Sequence, residues 1–329
     1  MNEKGVNHVI AAKGITVAFK VGSILSKSVM FAVDHVDLSI PEGRTLALVG
    51  ESGSGKTTLG KTLVGIYKPV EGSVYFRGKD VSKMNKEEYM KYRLKCQYVH
   101  QDPYSSLNPY KTVYHILAVP LKAKRLVRDT TEEREVVNKA LEEVGLNPQV
   151  YSSKYPFELS GGERQRVSIA RTLIVKPEFI VADEPVTMLD ASLRLDILDL
   201  LLDIQKRVGL GMLFITHDLG IAYYVGGDSG EIAVMYLGSI VEYGPADKIL
   251  NKPLHPYTQA LLSAIPEPDP ERTRSKRPIQ LRNSEPPNPL KVPKGCKFSD
   301  RCPFVINQCH ESRPQLKRVG DVQVACWLY

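Results

Sequence analysis

The sequence predicts an α/β fold built on a largely parallel sheet, and three observations lead to that prediction. Short continuous apolar runs, Leu46-Ala47-Leu48-Val49, Phe179-Ile180-Val181-Ala182 and Met212-Leu213-Phe214-Ile215, are each followed by polar residues, the pattern of strands buried on both faces. Helical patterns alternate with these runs, and such alternation builds βαβ units. The first run opens into a glycine-rich loop followed by a helix-forming stretch, the strand–loop–helix order of a phosphate-binding turn.

Length and composition set the outer bounds. The chain has 329 residues, 43% hydrophobic and 25% charged, so a folded body with a real core is expected and a disordered or fibrous chain is not. No apolar run approaches the roughly 18–20 residues of a bilayer span. Met1-Asn2-Glu3-Lys4-Gly5 leads into no hydrophobic signal core, which points to the cytoplasm. A net charge of +7 permits anionic partners, but the bases are scattered and select none. Prolines crowd about residues 266–294, where no regular helix or central strand fits. The expected organisation is therefore a body over 1–265, a Pro-rich linker over 266–294, and a Cys-rich tail over 295–329.

Within the body, Gly50-Glu51-Ser52-Gly53-Ser54-Gly55-Lys56-Thr57 fits the G-x-x-x-x-G-K-[ST] phosphate loop, and Thr58 continues into the helix. Glycines let backbone N–H groups curl toward phosphate oxygens, and the helix N-terminus adds positive potential. Lys56 supplies a charge to the β- and γ-phosphates and Thr57 a hydroxyl for Mg²⁺. Residues 131–144 read as a helix that Thr131 can cap and Gly145 stops.

Leu159-Ser160-Gly161-Gly162-Glu163 precedes a helical segment running from Arg164 to Val175 and closed by Pro177. Ser160 and Glu163 stand in capping-box register, and the two glycines expose first-turn N–H groups. This is a second anion site that one nucleotide does not need. The strand 179–182 then ends in Asp183-Glu184: Asp183 suits a Mg²⁺ shell, and Glu184 stands where an attacking water needs a proton acceptor.

Together these residues resemble the ATP-binding subunits of ABC transporters, over roughly residues 10–250. The resemblance implies a P-loop ABC ATPase domain: a parallel-sheet core with an antiparallel β subdomain and a helical subdomain over about 102–175. It implies that Gln101 is the Q-loop glutamine acting on Mg²⁺ or water, Asp190 the D-loop aspartate, and His217 the switch histidine at the γ-phosphate. Phe19 is the aromatic expected to stack on adenine, with Phe31 as its competitor. The family's usual fifth signature residue is Gln, where this chain has Glu163. In the family each ATP is sandwiched between the phosphate loop of one subunit and the signature of another. Ser160, Gly161, Gly162 and Glu163 are thus expected to act on a partner's nucleotide.

Gln101 through Pro109, His255 through Leu262, and the tail around Gly295-Cys296 and Arg301-Cys302-Pro303 are similar to stretches of oligopeptide/dipeptide importer ATPases. That resemblance implies an ATP-hydrolysing subunit energising solute import, with peptide favoured and oligosaccharide or nickel as alternatives. A non-transport ABC ATPase working on nucleic acid is disfavoured, because the chain has one cassette and no long heptad run. The implied partners are a second ATPase subunit, usually a paralogue, two membrane permeases and, indirectly, an extracytoplasmic solute-binding protein, with no nucleic acid. The implied location is peripheral, on the cytoplasmic face of the membrane. Cys296, Cys302, Cys309 and Cys326 lack the close C-x2–4-C pairs of zinc sites, and four thiolates without histidine also suit an iron–sulfur cluster. The resemblance implies a 4Fe-4S cluster; Zn²⁺, disulfides or free thiols are the alternatives.

Overall fold

A computed structural model describes residues 7–22, 28–227, 230–265, 278–285 and 287–329. Pro266, Pro268, Pro270 and Pro286 of the expected linker lie outside these residues. An antiparallel sheet is formed by β1 (His8–Val21), β2 (Ser28–Pro41), β4 (Glu71–Phe76) and β5 (Lys79–Asp80), in the order β2-β1-β4-β5. The second sheet holds β3 (Thr45–Val49), β6 (Cys96–Val99), β7 (Phe179–Asp183), β8 (Gly211–Thr216), β9 (Glu231–Tyr236), β10 (Ser239–Pro245), β11 (Lys317–Val319) and β12 (Val322–Val324). Its order is β11-β12-β10-β9-β3-β8-β7-β6, and the pairs from β9 through β6 are parallel.

The register of the parallel strands builds the site. Val49 pairs with Thr216 and Asp183 with Ile215, while Val99 pairs with Ala182. Strands that finish level deliver their next residues to one edge. Gly50, Glu184 and His217 therefore leave the sheet side by side, and Gln101 leaves two residues beyond Val99. Binding at the carboxyl ends of parallel strands is the general rule for open α/β sheets. Burial of every residue of β7 and β8 explains why these strands read as unbroken apolar runs rather than as alternation.

Helices Val113–Ala123, Thr130–Glu143 and Gly161–Leu173 pack into one apolar cluster with Val99, Ile180 and Phe214, which seats the helical region on the sheet. Helix Thr130–Glu143 is capped by Asp129, whose carboxylate accepts from Thr131 and Glu132 N–H, rather than by Thr131. A carboxylate one residue before the helix takes two first-turn donors at once, so it outcompetes a hydroxyl already inside the turn. The helix expected over 164–175 begins at Gly161 and ends at Leu173. Its early end follows from Lys176 (φ 51°) before Pro177, which the helical conformation does not tolerate.

The C-terminal residues share a core with the cassette. Phe298, Cys302 and Val322 lie in the same cluster as Val49, Val234 and Tyr257, and β12 extends the main sheet by pairing with β10. No described helix is long and apolar enough to cross a membrane.

Candidate active site

The phosphate loop is shaped by two close backbone approaches. A Cβ on Gly55, whose φ is +103°, would meet the Ala32 carbonyl oxygen at 2.1 Å, and one on Gly50 would meet that of Met235 at 2.2 Å. Only glycine fits either position. Gly55 caps the helix Lys56–Leu63, whose first residues face the loop. The Lys56 ammonium is buried and donates to the carbonyls of Gly50 (2.6 Å) and Glu51 (2.9 Å). Burial lowers the Lys56 pKa, and the carboxylates of Glu184, Asp183 and Glu51 oppose that shift.

Beside the loop, Thr57 Oγ1 donates to Asp183 at 2.9 Å, and the Tyr98 hydroxyl donates to the same carboxylate. Burial raises the pKa of Asp183, while the hydrogen bonds from Tyr98 and Thr57 pull it back. A hydroxyl and a carboxylate converging in this way form a hard oxygen donor pair of the kind Mg²⁺ takes.

Glu184 follows at the strand end in the left-handed region (φ 44°), its N–H bonded to the Ile215 carbonyl at 2.9 Å. That conformation costs about 1–2 kcal/mol for an L-residue. It turns Oε2 toward three groups: Gln101 Nε2 at 3.2 Å, Thr187 Oγ1 at 3.0 Å and His217 Nδ1 at 3.2 Å. These residues stand at a cavity of about 780 Å³ lined by Glu51, Ser52, Gly53, Ser54, Gly55, Lys56, Thr57 and Thr58, and by Gln101, Glu184 and His217. Phe19 and Phe31 line it too. The Phe19 ring packs edge-on against Tyr67 at 5.4 Å, whereas Phe31 is 51% exposed. Leu261, Pro289 and Val292 close another part of the wall.

The signature residues stand elsewhere. The capping box forms as its register predicts: Glu163 N–H donates to Ser160 Oγ at 3.4 Å and Ser160 N–H to Glu163 Oε2 at 2.7 Å. Tyr151 OH adds a bond to Glu163 at 2.6 Å and holds its carboxyl pKa down. None of Ser160, Gly161, Gly162 or Glu163 lines the cavity, nor does Asp190, which is exposed at the start of helix Ala191–Val208.

Sequence reasoning missed Thr187, Tyr98, Tyr257 and Arg301. Thr187 lies three residues beyond Glu184, the spacing of a hydroxyl folding back across a turn, and that signal was readable.

No disulfide joins Cys296, Cys302, Cys309 or Cys326. Burial pushes the Cys296 thiol up to about 12 and that of Cys302 to about 11, and their neighbouring cysteines add to both shifts. Among the described residues, no group of three or more His, Cys, Asp or Glu side chains is arranged to hold a metal ion. Cys296, Cys302 and Cys326 each feel other tail thiols electrostatically, but in this arrangement the side chains are not gathered as a ligand set.

A phosphate loop, an acid pair at a parallel-sheet edge, a separate capped signature and an added helical region define an ABC-type ATPase cassette. Residues 33–187 match the ABC transporter family, and residues 241–309 match the C-terminal region of oligopeptide/dipeptide transporters. YkfD of Bacillus subtilis is 46% identical over 304 residues, covering 92% of this chain and 91% of its own. The oligopeptide transport ATP-binding protein OppF of Salmonella typhimurium is 42% identical over 295 residues, covering 90% and 87%. Among solved structures, the dimeric bacterial ABC transporter cassette MJ0796 is similar at 29% identity with a TM-score of 0.63, covering 72% of this chain and 98% of its own. The chain belongs to the family of ABC transporter ATP-binding proteins.

Proposed function

We propose that this chain is an ATP-hydrolysing subunit that energises import of di- or oligopeptides through partner membrane permeases. The carrying observation is the convergence of Gln101, Thr187 and His217 on Glu184 at the mouth of the phosphate-loop cavity. The peptide substrate is supported by the similarity to OppF and by the C-terminal match.

In this reading the loop N–H groups and Lys56 bind the β- and γ-phosphates, and Phe19, with Phe31 beside it, offers an aromatic face to adenine. Bound Mg²⁺ would neutralise charge developing on the phosphates; Thr57 and Asp183 would hold it, with Gln101 at its edge. Glu184 accepts the proton of the attacking water, and His217 and Thr187 fix its carboxylate. Ser160, Gly161, Gly162 and Glu163 serve the ATP of a second ATPase subunit, and Asp190 lies at that junction. The assembly places the chain at the cytoplasmic face of the membrane, beside two permeases supplied by a solute-binding protein.

The tail cysteines Cys296, Cys302, Cys309 and Cys326 are proposed to take a 4Fe-4S cluster, or Zn²⁺, by side-chain rotation. Their mutual proximity and lack of disulfides support this, and no step of hydrolysis depends on it. Iron, sulfide and zinc content of anaerobically purified protein decides among cluster, zinc and free thiols.

The function is tested by assembling the chain with membrane permeases and a second ATPase subunit and reconstituting the complex in vesicles. Mg-dependent ATP turnover stimulated by a peptide-loaded binding protein is the expected result. Turnover stimulated only by an oligosaccharide or Ni²⁺ would replace the substrate, and no turnover would remove the reading.

A further inference from the structure

The carboxylate of Glu51 lies inside the phosphate loop, the one acid between Gly50 and Thr58, and an unpaired negative charge there would repel a polyphosphate. It is met by a residue 250 positions away. Arg301 grips it in a fork, Nη1 at 2.8 Å from Oε2 and Nη2 at 3.0 Å from Oε1. The guanidinium side chain is 4% exposed, and its remaining donors reach Tyr236 OH (3.5 Å) and the carbonyls of Asn283 (3.3 Å) and Ser284 (3.1 Å). All five N–H directions of the fork are therefore used, a geometry an ammonium cannot copy. The backbone of Glu51 is held from the same side, its N–H donating to Tyr257 OH at 2.9 Å. Its carbonyl accepts from Lys56 at 2.9 Å, so the chain of contacts runs from the C-terminal extension to the phosphate-binding lysine.

We propose that Arg301 is a positioning residue for nucleotide binding: from the C-terminal extension it fixes Glu51 and cancels the charge that the phosphate loop would otherwise present to the incoming polyphosphate. The inference rests on the ATP reading above and adds a residue outside the cassette's motifs. It also gives the extension a role that needs no metal.

The test is a titration of full-length protein with N-methylanthraniloyl-ATP and -ADP, for wild type, Arg301→Ala, Glu51→Gln, the double variant and Arg301→Lys. Wild type that binds neither nucleotide below millimolar concentration would refute the ATP reading itself. With wild-type binding established, Arg301→Ala is expected to weaken ATP about tenfold, and ADP less because it carries less charge. The double variant should return to the affinity of Glu51→Gln, since no free carboxylate remains. Arg301→Lys, which keeps charge but loses the fork, should weaken ATP about threefold and remains informative if the alanine variant does not fold. Arg301→Ala or Arg301→Lys with wild-type affinity, or a double variant as weak as Arg301→Ala, overturns the proposal.

Discussion

His217 Nδ1 and Glu184 Oε2 stand 3.2 Å apart, although 33 residues separate them in the chain. The contact exists because β7 and β8 are adjacent and in register, so the residues following them leave the sheet together. Glu184 thereby has a fixed carboxylate at the cavity mouth. Glu184→Gln keeps the shape and removes the proton acceptor. Phosphate release should fall at least 100-fold, with nucleotide binding retained and an ATP-bound dimer accumulating on size exclusion. An unchanged rate would take Glu184 out of the base role.

Thr187 donates to the same oxygen at 3.0 Å. A hydrogen bond to a charged group contributes about 1.5–3 kcal/mol. Thr187→Ala should therefore lower kcat about tenfold while leaving the KM for ATP within twofold. A rise in KM at constant kcat would mean that Thr187 serves binding and not the carboxylate.

Tyr98 offsets part of the burial that raises the Asp183 pKa. In Tyr98→Phe that opposing hydrogen bond is gone, so the pKa rises further and protons compete more strongly with Mg²⁺. The Mg²⁺ concentration for half-activation should rise several-fold, and the acid limb of the pH–rate profile should move to higher pH. Superimposable profiles for the two proteins would contradict this assignment.

At half-buried Gly161, an added Cβ would meet Leu189 at 3.5 Å, an ordinary contact, so the backbone there has room for a side chain. Gly161→Asp places a carboxylate at the helix start proposed to face a partner's triphosphate. Hydrolysis by the assembled transporter should drop about 100-fold, while the isolated chain binds ATP as wild type does. Loss of binding in the isolated chain would place the signature on its own nucleotide instead.

Asp34 provides a stability test. Burial would raise its pKa, but the hydrogen bonds from Lys297 and His35 and the charge of Arg313 hold it well below the usual carboxylate range. A group depressed in the folded state stabilises above its unfolded pKa, about 3.9, and loses that contribution as pH falls toward the folded value. Asp34→Asn strands the buried Lys297 and should cost about 3 kcal/mol at pH 7 in urea unfolding. The gap to wild type should narrow below about pH 4; a gap independent of pH would reject the ion-pair account.

Much of the site was legible because its motifs are local. Gly50–Thr57, Ser160–Glu163 and Asp183-Glu184 each do their work within a few consecutive residues, so composition and spacing reveal them. Tyr98, Tyr257 and Arg301 reach their partners across 85, 206 and 250 positions, and no periodicity encodes such a meeting. The tail hairpin also escaped notice, since strands of three residues are too short to display alternation.

The amino-acid order alone determined the strand–loop–helix cradle, the capped signature and the adjacent acids at a strand end. Each follows from glycine's backbone freedom, short-range capping or continuous burial. Tertiary structure alone decided which side chains surround Glu184, that the C-terminal extension grips the phosphate loop through Arg301, and that its cysteines lie near one another without forming a ligand set. Those outcomes depend on strand register and on desolvation, which exist only once distant segments have packed.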